Sequence, residues 1–370
     1  LLGLASTMNE LLYISASIYP SKSANSNQVV QQVNGLKNFY SRIAFMFKYT
    51  GLEDHKAILF KRYLLDENIE LLGVKYENKL YIFGYLIQLI LAVNKFENVF
   101  TRNPLSLAII ALGSFGRGGR NVTYEAHSTI SLWNKLFIKI IMARGVSFRI
   151  LTISEELRDY YLSETSCKNV DFYHDGAELK PRKETVLSKN NIGYVGSFNK
   201  GRGLDIIVGL AKKYDQISFH LFGGSAEDLE KHTVQSIPQN IKCYGFVGRD
   251  ELDAAFDTFD IAIAPYEDKV LVPDGRDTSA YMSPLKIFEY MSYQKLLLVS
   301  NHKVLKSFLN DNNAYIVKKN DLKSWHKVID DMLIEDDDVL LSKVMLSYDL
   351  IENKYNWKTR AEFICNAYQK

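Results

Sequence analysis

The sequence predicts an α/β protein built from two doubly wound, Rossmann-like domains. Three observations predict it. Short apolar runs rich in Val, Ile, Leu and Phe alternate with helix-spaced segments, the pattern of a parallel sheet covered on both faces. The alternation breaks once, at 178–191, where "ELKPRKETVLSKNN" is charged, contains a proline and lacks apolar periodicity, and then it restarts. With 370 residues, 47% hydrophobic and 24% charged, the chain can fill two cores of ordinary size and does not have a disordered composition.

The elements follow in order. Residues 1–7 precede Met8, a candidate natural start, so the first domain is read over 8–177. "ELLYISASIY" (10–19) is a buried first strand, stopped by Pro20 and a Ser/Asn-rich loop. Val29, Val33 and Leu36 recur at helical spacing within 25–39, and Asn25 or Ser26 suits the cap. "YIFGYLIQLILAV" (81–93) has the length of a core helix and falls short of the ~20 residues that span a bilayer. "NVFTRNP" (98–104) is a strand stopped at Asn103-Pro104, and "SLAIIALG" (106–113) is a helix closed by Gly113. Strands at 121–128 and 148–154 follow, then a helix at 155–162. Asp175-Gly176 forms a tight turn before the linker at 178–191. The second domain, 192–352, takes strands at 191–198, 217–224, 240–247, 260–266 and 295–301. Helices at 203–213, 225–234, 249–258 and 284–294 fit between them. Residues 353–370 form a terminal helix.

Composition narrows the function. Cys167, Cys243 and Cys365 are scattered and odd in number, and no basic, apolar, small-residue leader is recognised, so a reducing cytoplasm is expected. Seven scattered histidines with no His-x-x-x-His pair imply no protein-held metal. Charge is uneven: residues 1–189 carry 23 Lys/Arg against 17 Asp/Glu, net +6, and residues 190–370 carry 22 against 26, net −4. A basic first half suits an anionic partner such as lipid headgroups, nucleic acid or a phosphorylated substrate, or is simply a solvated surface.

Three stretches carry chemistry, each at a strand end, where doubly wound sheets bind ligands. "YVGSFNKGRGLD" (194–205) is a strand, a glycine-containing loop and a helix start. Gly196, Gly201 and Gly203 let backbone approach an anion, and Lys200 and Arg202 add charge. The bland alternative is a turn with surface cations. "SPLKIFEYMSYQK" (283–295) places Ser283 at the N-cap and Pro284 at the first helical position, leaving the N–H groups of Leu285 and Lys286 to face an anion. Lys286 and Glu289 share a helix face, either as a surface ion pair or, for Glu289, as an acceptor for a ribose diol. "YEAHS" (124–128) puts Glu125 and His127 on one side of a strand end. Neither G-x-G-x-x-G nor Gly-Lys-Ser/Thr occurs, which argues against a nicotinamide dehydrogenase and a P-loop NTPase.

In order and spacing these stretches resemble the GT-B glycosyltransferases, most closely the retaining family 4. The phrases that carry the resemblance are "YISASIYPSKSANSNQV", "FTRNPLSLAIIAL", "VTYEAHS", "YVGSFNKGRGLD", "YGFVGRDEL", "SPLKIFEYM" and "YNWKTRA", from about Leu11 to the end. The resemblance implies two Rossmann-like domains facing a central cleft, with a last helix that crosses back to the first domain. It implies transfer of a sugar from a nucleoside diphosphate sugar, UDP- or GDP-linked, to an acceptor hydroxyl with retained configuration and without a metal or a resident cofactor. The acceptor would be a surface polysaccharide or lipid-linked glycan, with peripheral contact at the inner membrane face and no nucleic acid. By position, Gly196, Ser197, Lys200, Arg202 and Ser283–Lys286 would hold the diphosphate, and Glu289 the ribose. Gly245, Phe246 and Val247 would border the base. Asp274, Arg276, Asp277 and Tyr281 would face the donor sugar, and Ser26, Asn27, Arg102, Glu125 and His127 the acceptor. His127, Arg202 and Glu289 are the expected catalytic residues. The sequence departs from the family at three places. Tyr281 stands where the first of two glutamates is usual, Gln294 and Leu296 replace a Gly and a Pro, and Ser197 replaces an Arg. A sugar-nucleotide 2-epimerase and a non-catalytic partner subunit share the fold and stay open as alternatives.

Overall fold

The computed structural model describes residues 8–21, 24–51, 54–76, 81–113, 120–233, 236–271 and 275–366. The chain divides into two compact units, one of Leu1–His174 with Trp357–Lys370 and one of Asp175–Asn356. Among the described residues no helix is long and apolar enough to cross a membrane.

The first unit is built on seven parallel strands ordered β3-β2-β1-β4-β5-β6-β7. These are β1 (Met8–Tyr19), β2 (Tyr40–Tyr49), β3 (Glu70–Lys75), β4 (Asn98–Thr101), β5 (Asn121–Ala126), β6 (Ser147–Thr152) and β7 (Val170–Phe172). The helices are α1 (Ala24–Leu36), the short α2 (His55–Ala57), α3 (Tyr81–Lys95), α4 (Pro104–Gly113), α5 (Leu132–Ala143), α6 (Glu155–Glu164) and, from the far end of the chain, α13 (Trp357–Asn366). Aromatic rings fill the core: Tyr13 stacks on Phe100 at 5.0 Å and meets Phe45 edge-on at 6.0 Å. On one face α1 lies against α13, and a Cβ on Gly35 would sit 2.7 Å from the Trp357 carbonyl oxygen, so only glycine permits that approach.

The sequence reading omits β2, β3, β7, α2 and α5 here and, in the second unit, the elements at Tyr315–Val317, Leu322–Ile334 and Asp337–Asn353. β3 is hidden because Gly73 interrupts it, yet a Cβ there would press on the rings of Phe47 and Tyr49 at 3.1 and 3.2 Å. β7 has three residues, too few for a period to register.

The second unit carries six parallel strands ordered β10-β9-β8-β11-β12-β13, the order of a classical dinucleotide fold. They are β8 (Asn191–Val195), β9 (Ser218–Phe222), β10 (Ile241–Cys243), β11 (Ile261–Ala264), β12 (Leu296–Ser300) and β13 (Tyr315–Val317). The helices are α7 (Leu204–Lys213), α8 (Ala226–Glu230), α9 (Leu252–Phe256), α10 (Leu285–Ser292), α11 (Leu322–Ile334) and α12 (Asp337–Asn353). Several expectations are shortened: the helix expected over 225–234 ends at Glu230, and the strands expected over 191–198 and 260–266 end at Val195 and Ala264. The strand expected over 240–247 ends at Cys243, because Gly245 turns to φ +76 and carries Tyr244–Val247 out of the sheet. The helix expected over 249–258 opens as a 3-10 turn at Arg249–Glu251.

Gln294 replaces the expected glycine at the end of α10 and still adopts the left-handed conformation, φ +54. Backbone bonds from Gln294 N to Met291 O (3.1 Å) and from Lys295 N to Tyr290 O (3.0 Å) close the helix as a glycine would. The buried side chain supplies what glycine lacks: its Oε1 accepts from Lys183 N at 3.2 Å.

Candidate functional site

In the second unit the strand order reverses between β8 and β11, and the loops after those strands are where such a sheet places a ligand. The two loops are locked together. Glu267 N donates to Gly201 O at 3.1 Å, and Gly203 N donates to Glu267 Oε1 at 3.3 Å. A Cβ on Gly201 would lie 2.1 Å from Lys269 O, and one on Gly203 would lie 1.8 Å from Pro265 O. Gly203 then caps α7 in the left-handed region at φ +71. Gly201 and Gly203 therefore serve the close backbone approach of the two loops.

The loops after β8, β9 and β10 are joined as well. Gly196 N donates to Phe222 O at 2.8 Å, and Gly223 N donates to Gly245 O at 2.6 Å. Beside this seam Tyr244 stacks on Phe222 at 4.4 Å, donates to or accepts from His220 Nδ1 at 2.9 Å, and stays partly exposed.

The start of α10 differs from its expected form. Pro284 is the cap residue and the helix opens at Leu285. Ser283 does not cap it: its Oγ accepts from Asp175 N at 2.9 Å. Leu285 N is not available either, since it bonds Ser283 O at 3.0 Å. The proline lacks an N–H and its side chain accepts nothing, so the serine turns to the neighbouring segment instead.

Cations gather beside this helix start. Lys286 is no surface ion pair. Its Nζ is buried without a hydrogen-bond partner, 3.9 Å from the centre of the Tyr194 ring and 5.2 Å from that of Tyr266. Burial first, and the Arg202 charge second, press its pKa well below the ordinary lysine value. The Arg202 guanidinium lies 5.5 Å from the Tyr266 ring centre, with Nε buried and unbonded. Burial pushes the Tyr266 hydroxyl up to about 12, with the Arg202 charge opposing, so the ring stays neutral at physiological pH. Arg249 adds a third cation: its Nη1 is 3.7 Å from Glu289 Oε1, Nη2 is 2.6 Å from Glu178 Oε2, and Nε is buried and unbonded. Burial raises the Glu289 pKa, with Arg249 and Lys286 opposing. Three cations thus each keep a buried N–H group without an acceptor, and such groups are costly unless something accepts from them. Sequence reasoning missed Arg249, Tyr194 and Tyr266. The arginine follows "YGFVG", but nothing in a linear pattern brings it to α10.

The other expected residues are placed as follows. Ser197 and Lys200 are exposed on the β8 loop. Phe246 is exposed, and Val247 packs against the core around Phe256 and Phe259. Asp277 is a loop staple, its Oδ1 accepting from Val270 N (3.1 Å) and Ser279 N (2.9 Å), which holds its pKa down. Arg276 is exposed and Tyr281 half-buried. Asp274 lies outside the described residues.

The expected acceptor residues sit together in the first unit, near the loops after β1 and β4 where that strand order reverses. Arg102 Nη2 shares its two N–H groups among three acceptors within reach, Asn25 Oδ1 (2.7 Å), Gln28 Oε1 (3.1 Å) and His127 Nδ1 (3.2 Å). Since Nδ1 accepts there, Nε2 carries the hydrogen donated to Glu125. Glu125 is fully buried. It also accepts from Gln32 Nε2 at 2.6 Å and lies 3.4 Å from Arg360 Nη2. Burial raises its pKa, but Arg360, Arg102 and His127 together hold it below the usual carboxylate range. Ser26 is buried, its carbonyl accepting from Tyr19 Oη at 3.1 Å, and Asn27 is half-buried. Arg360 and Gln32 went unread in the sequence because 328 residues separate them. Arg360→Leu is expected to cost about 3–5 kcal/mol, since it strands part of a buried charge network. Urea denaturation checks it; a loss under about 1 kcal/mol would contradict this account.

Comparison with known proteins adds to this geometry. Residues 189–335 match the family model Glycosyl transferases group 1. No curated protein sequence matches the chain. Among solved structures, Anabaena HepE in complex with UDP and glucose superposes with a TM-score of 0.70 at 12% identity, covering 97% of this chain and 99% of that one. A mutant of S. aureus TarM in complex with fondaparinux, alpha-GlcNAc-glycerol and UDP gives 0.71 at 10%, covering 98% and 100%. A glycosyltransferase from Rickettsia africae gives 0.67 at 12%, covering 98% of each chain. The fold is GT-B. A GT-B chain uses two Rossmann-like units, and both switch points described above belong to such units.

Proposed function

We propose that this GT-B chain is a retaining glycosyltransferase that moves a sugar from UDP-sugar to an acceptor hydroxyl on a polysaccharide or lipid-linked glycan. The observation that carries the reading is the set of buried, unsatisfied N–H groups of Arg202, Lys286 and Arg249 at the switch point of the unit that matches the glycosyltransferase model. UDP is favoured over GDP because HepE and TarM are both recorded with it. Arg202 and Lys286 hold the diphosphate, Glu289 accepts from the ribose diol, and Tyr244 offers a ring for the base.

In the reaction the bond from the anomeric carbon to the diphosphate oxygen breaks and a bond to the acceptor oxygen forms on the same face. The acceptor proton passes to the leaving diphosphate. Negative charge grows on that diphosphate, where fixed cations stabilise it most. Arg202→Ala and Glu289→Ala are expected to lower kcat/KM by about 100-fold or more, with unchanged circular dichroism. A panel of UDP-sugars and GDP-sugars assayed for transfer, with thermal shift for binding, tests this. No shift with either nucleoside diphosphate, or wild-type rates in both variants, would overturn it.

A further inference from the structure

Helices α3, α4 and α5 lie side by side over the sheet of the first unit. α3 is apolar on two faces: Tyr85, Leu89, Ala92 and Val93 are buried, while Phe83, Ile87 and Leu91, spaced by one turn, are exposed. α4 continues the exposed apolar surface with Leu112, and α5 with Leu132 and Trp133, the latter 71% exposed. Water leaves so broad an apolar surface uncovered only at a cost, and on monomeric proteins such patches mark interaction sites. Charge identifies the occupant. The three helices contain Lys95, Lys135 and Lys139 and no Asp or Glu. Lys95 and Lys139 are exposed, and Lys135 pairs with Glu164 of α6. An apolar face with cations and no acids suits the headgroup and acyl boundary of an anionic bilayer. A copy of the same basic face does not suit it.

We propose that the exposed face of α3, α4 and α5 docks on an anionic membrane surface, with Trp133 and Leu132 entering the interface and Lys95 and Lys139 meeting lipid phosphates. This deepens the lipid-linked acceptor of the proposed function and rests on that reading only for the acceptor's location. Trp133 makes it directly observable, because the other two tryptophans, Trp325 and Trp357, are buried.

The test uses the full chain with vesicles of phosphatidylglycerol and phosphatidylcholine and with vesicles of phosphatidylcholine alone. The expected result is flotation with the anionic vesicles, a blue shift of tryptophan emission, and weakening of both by added salt. Phe83→Asp and Trp133→Asp are each expected to reduce partitioning about tenfold or more. Trp133→Phe is expected to abolish the blue shift while retaining most of the flotation. Lys139→Glu should weaken binding to the anionic vesicles only. These positions are exposed, so melting temperature and the thermal response to UDP should be unchanged. That response separates loss of docking from failure of the glycosyltransferase reading. Absence of flotation, equal flotation on neutral vesicles, or insensitivity to these substitutions would overturn the proposal. So would a dimer that Phe83→Asp dissociates, which would assign the face to a second copy of the chain.

Discussion

Lys286→Met is expected to raise the melting temperature of the ligand-free protein and to remove most of its response to UDP. The Lys286 ammonium has no acceptor and is held beside the Arg202 guanidinium, with only the Tyr194 and Tyr266 rings to offset its desolvation. A cation over an aromatic face recovers about 2 kcal/mol at best, less than full desolvation of an unpaired charge costs. Methionine fills similar space without that charge, and each kcal/mol gained moves the midpoint by about 2–4 °C in a chain of this kind. The sign of the pH dependence follows from the depressed pKa. The unfolded lysine keeps its proton to about pH 10.4, while the folded one gives it up earlier. Between those values the unfolded state holds more protons, so wild-type stability rises with pH there and the methionine variant lacks that rise. UDP affinity should fall about tenfold or more, the worth of a hydrogen bond to a charged group. Differential scanning fluorimetry with and without UDP, across alkaline pH, checks all three. A lower melting temperature with an intact UDP response would refute the anion-site assignment.

Gly203→Ala is expected to cost about 2–4 kcal/mol, whereas Gly245→Ala costs about 1 kcal/mol. The two residues have nearly the same backbone conformation, φ +71 and +76. Their surroundings differ: a Cβ at Gly203 meets the Pro265 carbonyl at 1.8 Å, while one at Gly245 meets nothing within 4 Å. The comparison thus separates the steric part from the conformational part. Because Gly203 joins the β8 and β11 loops, its substitution should also weaken UDP binding. Urea midpoints within 0.5 kcal/mol of each other would show that the loop contact is soft.

Most of the architecture was legible because buried parallel strands are short apolar runs, and the helices between them show apolar spacing or recognisable ends. β2, β3, β7, β13, α5, α11 and α12 went unread; among them, Gly73 breaks the β3 run, and β7 and β13 span three residues each. At the site, Arg202, Lys286 and Glu289 were legible as residue types near strand ends. The cap at Ser283 was misread because a serine before a proline looks like a cap whatever its hydroxyl meets, and here it meets Asp175 N. Tyr194, Tyr266 and Arg249 were out of reach because their role lies in contacts between segments far apart in the chain. The same holds for Arg360 beside Gln32 and Glu125. Gln294 is the converse: a residue that breaks the local rule and is held by a long-range bond to Lys183 N.

The division of the chain also sets an order of assembly. The second unit is one uninterrupted segment whose two ends meet, Ala177 N donating to Tyr355 O at 2.9 Å. The first unit is not continuous. Its α1 and its Glu125 network wait for α13, the last described helix to be synthesised. On a ribosome, the unit that begins first therefore finishes last, and its apolar α1 face stays uncovered while the whole second unit is made. Loss of α13 would accordingly fall on the earlier-made unit and leave the later-made sheet intact.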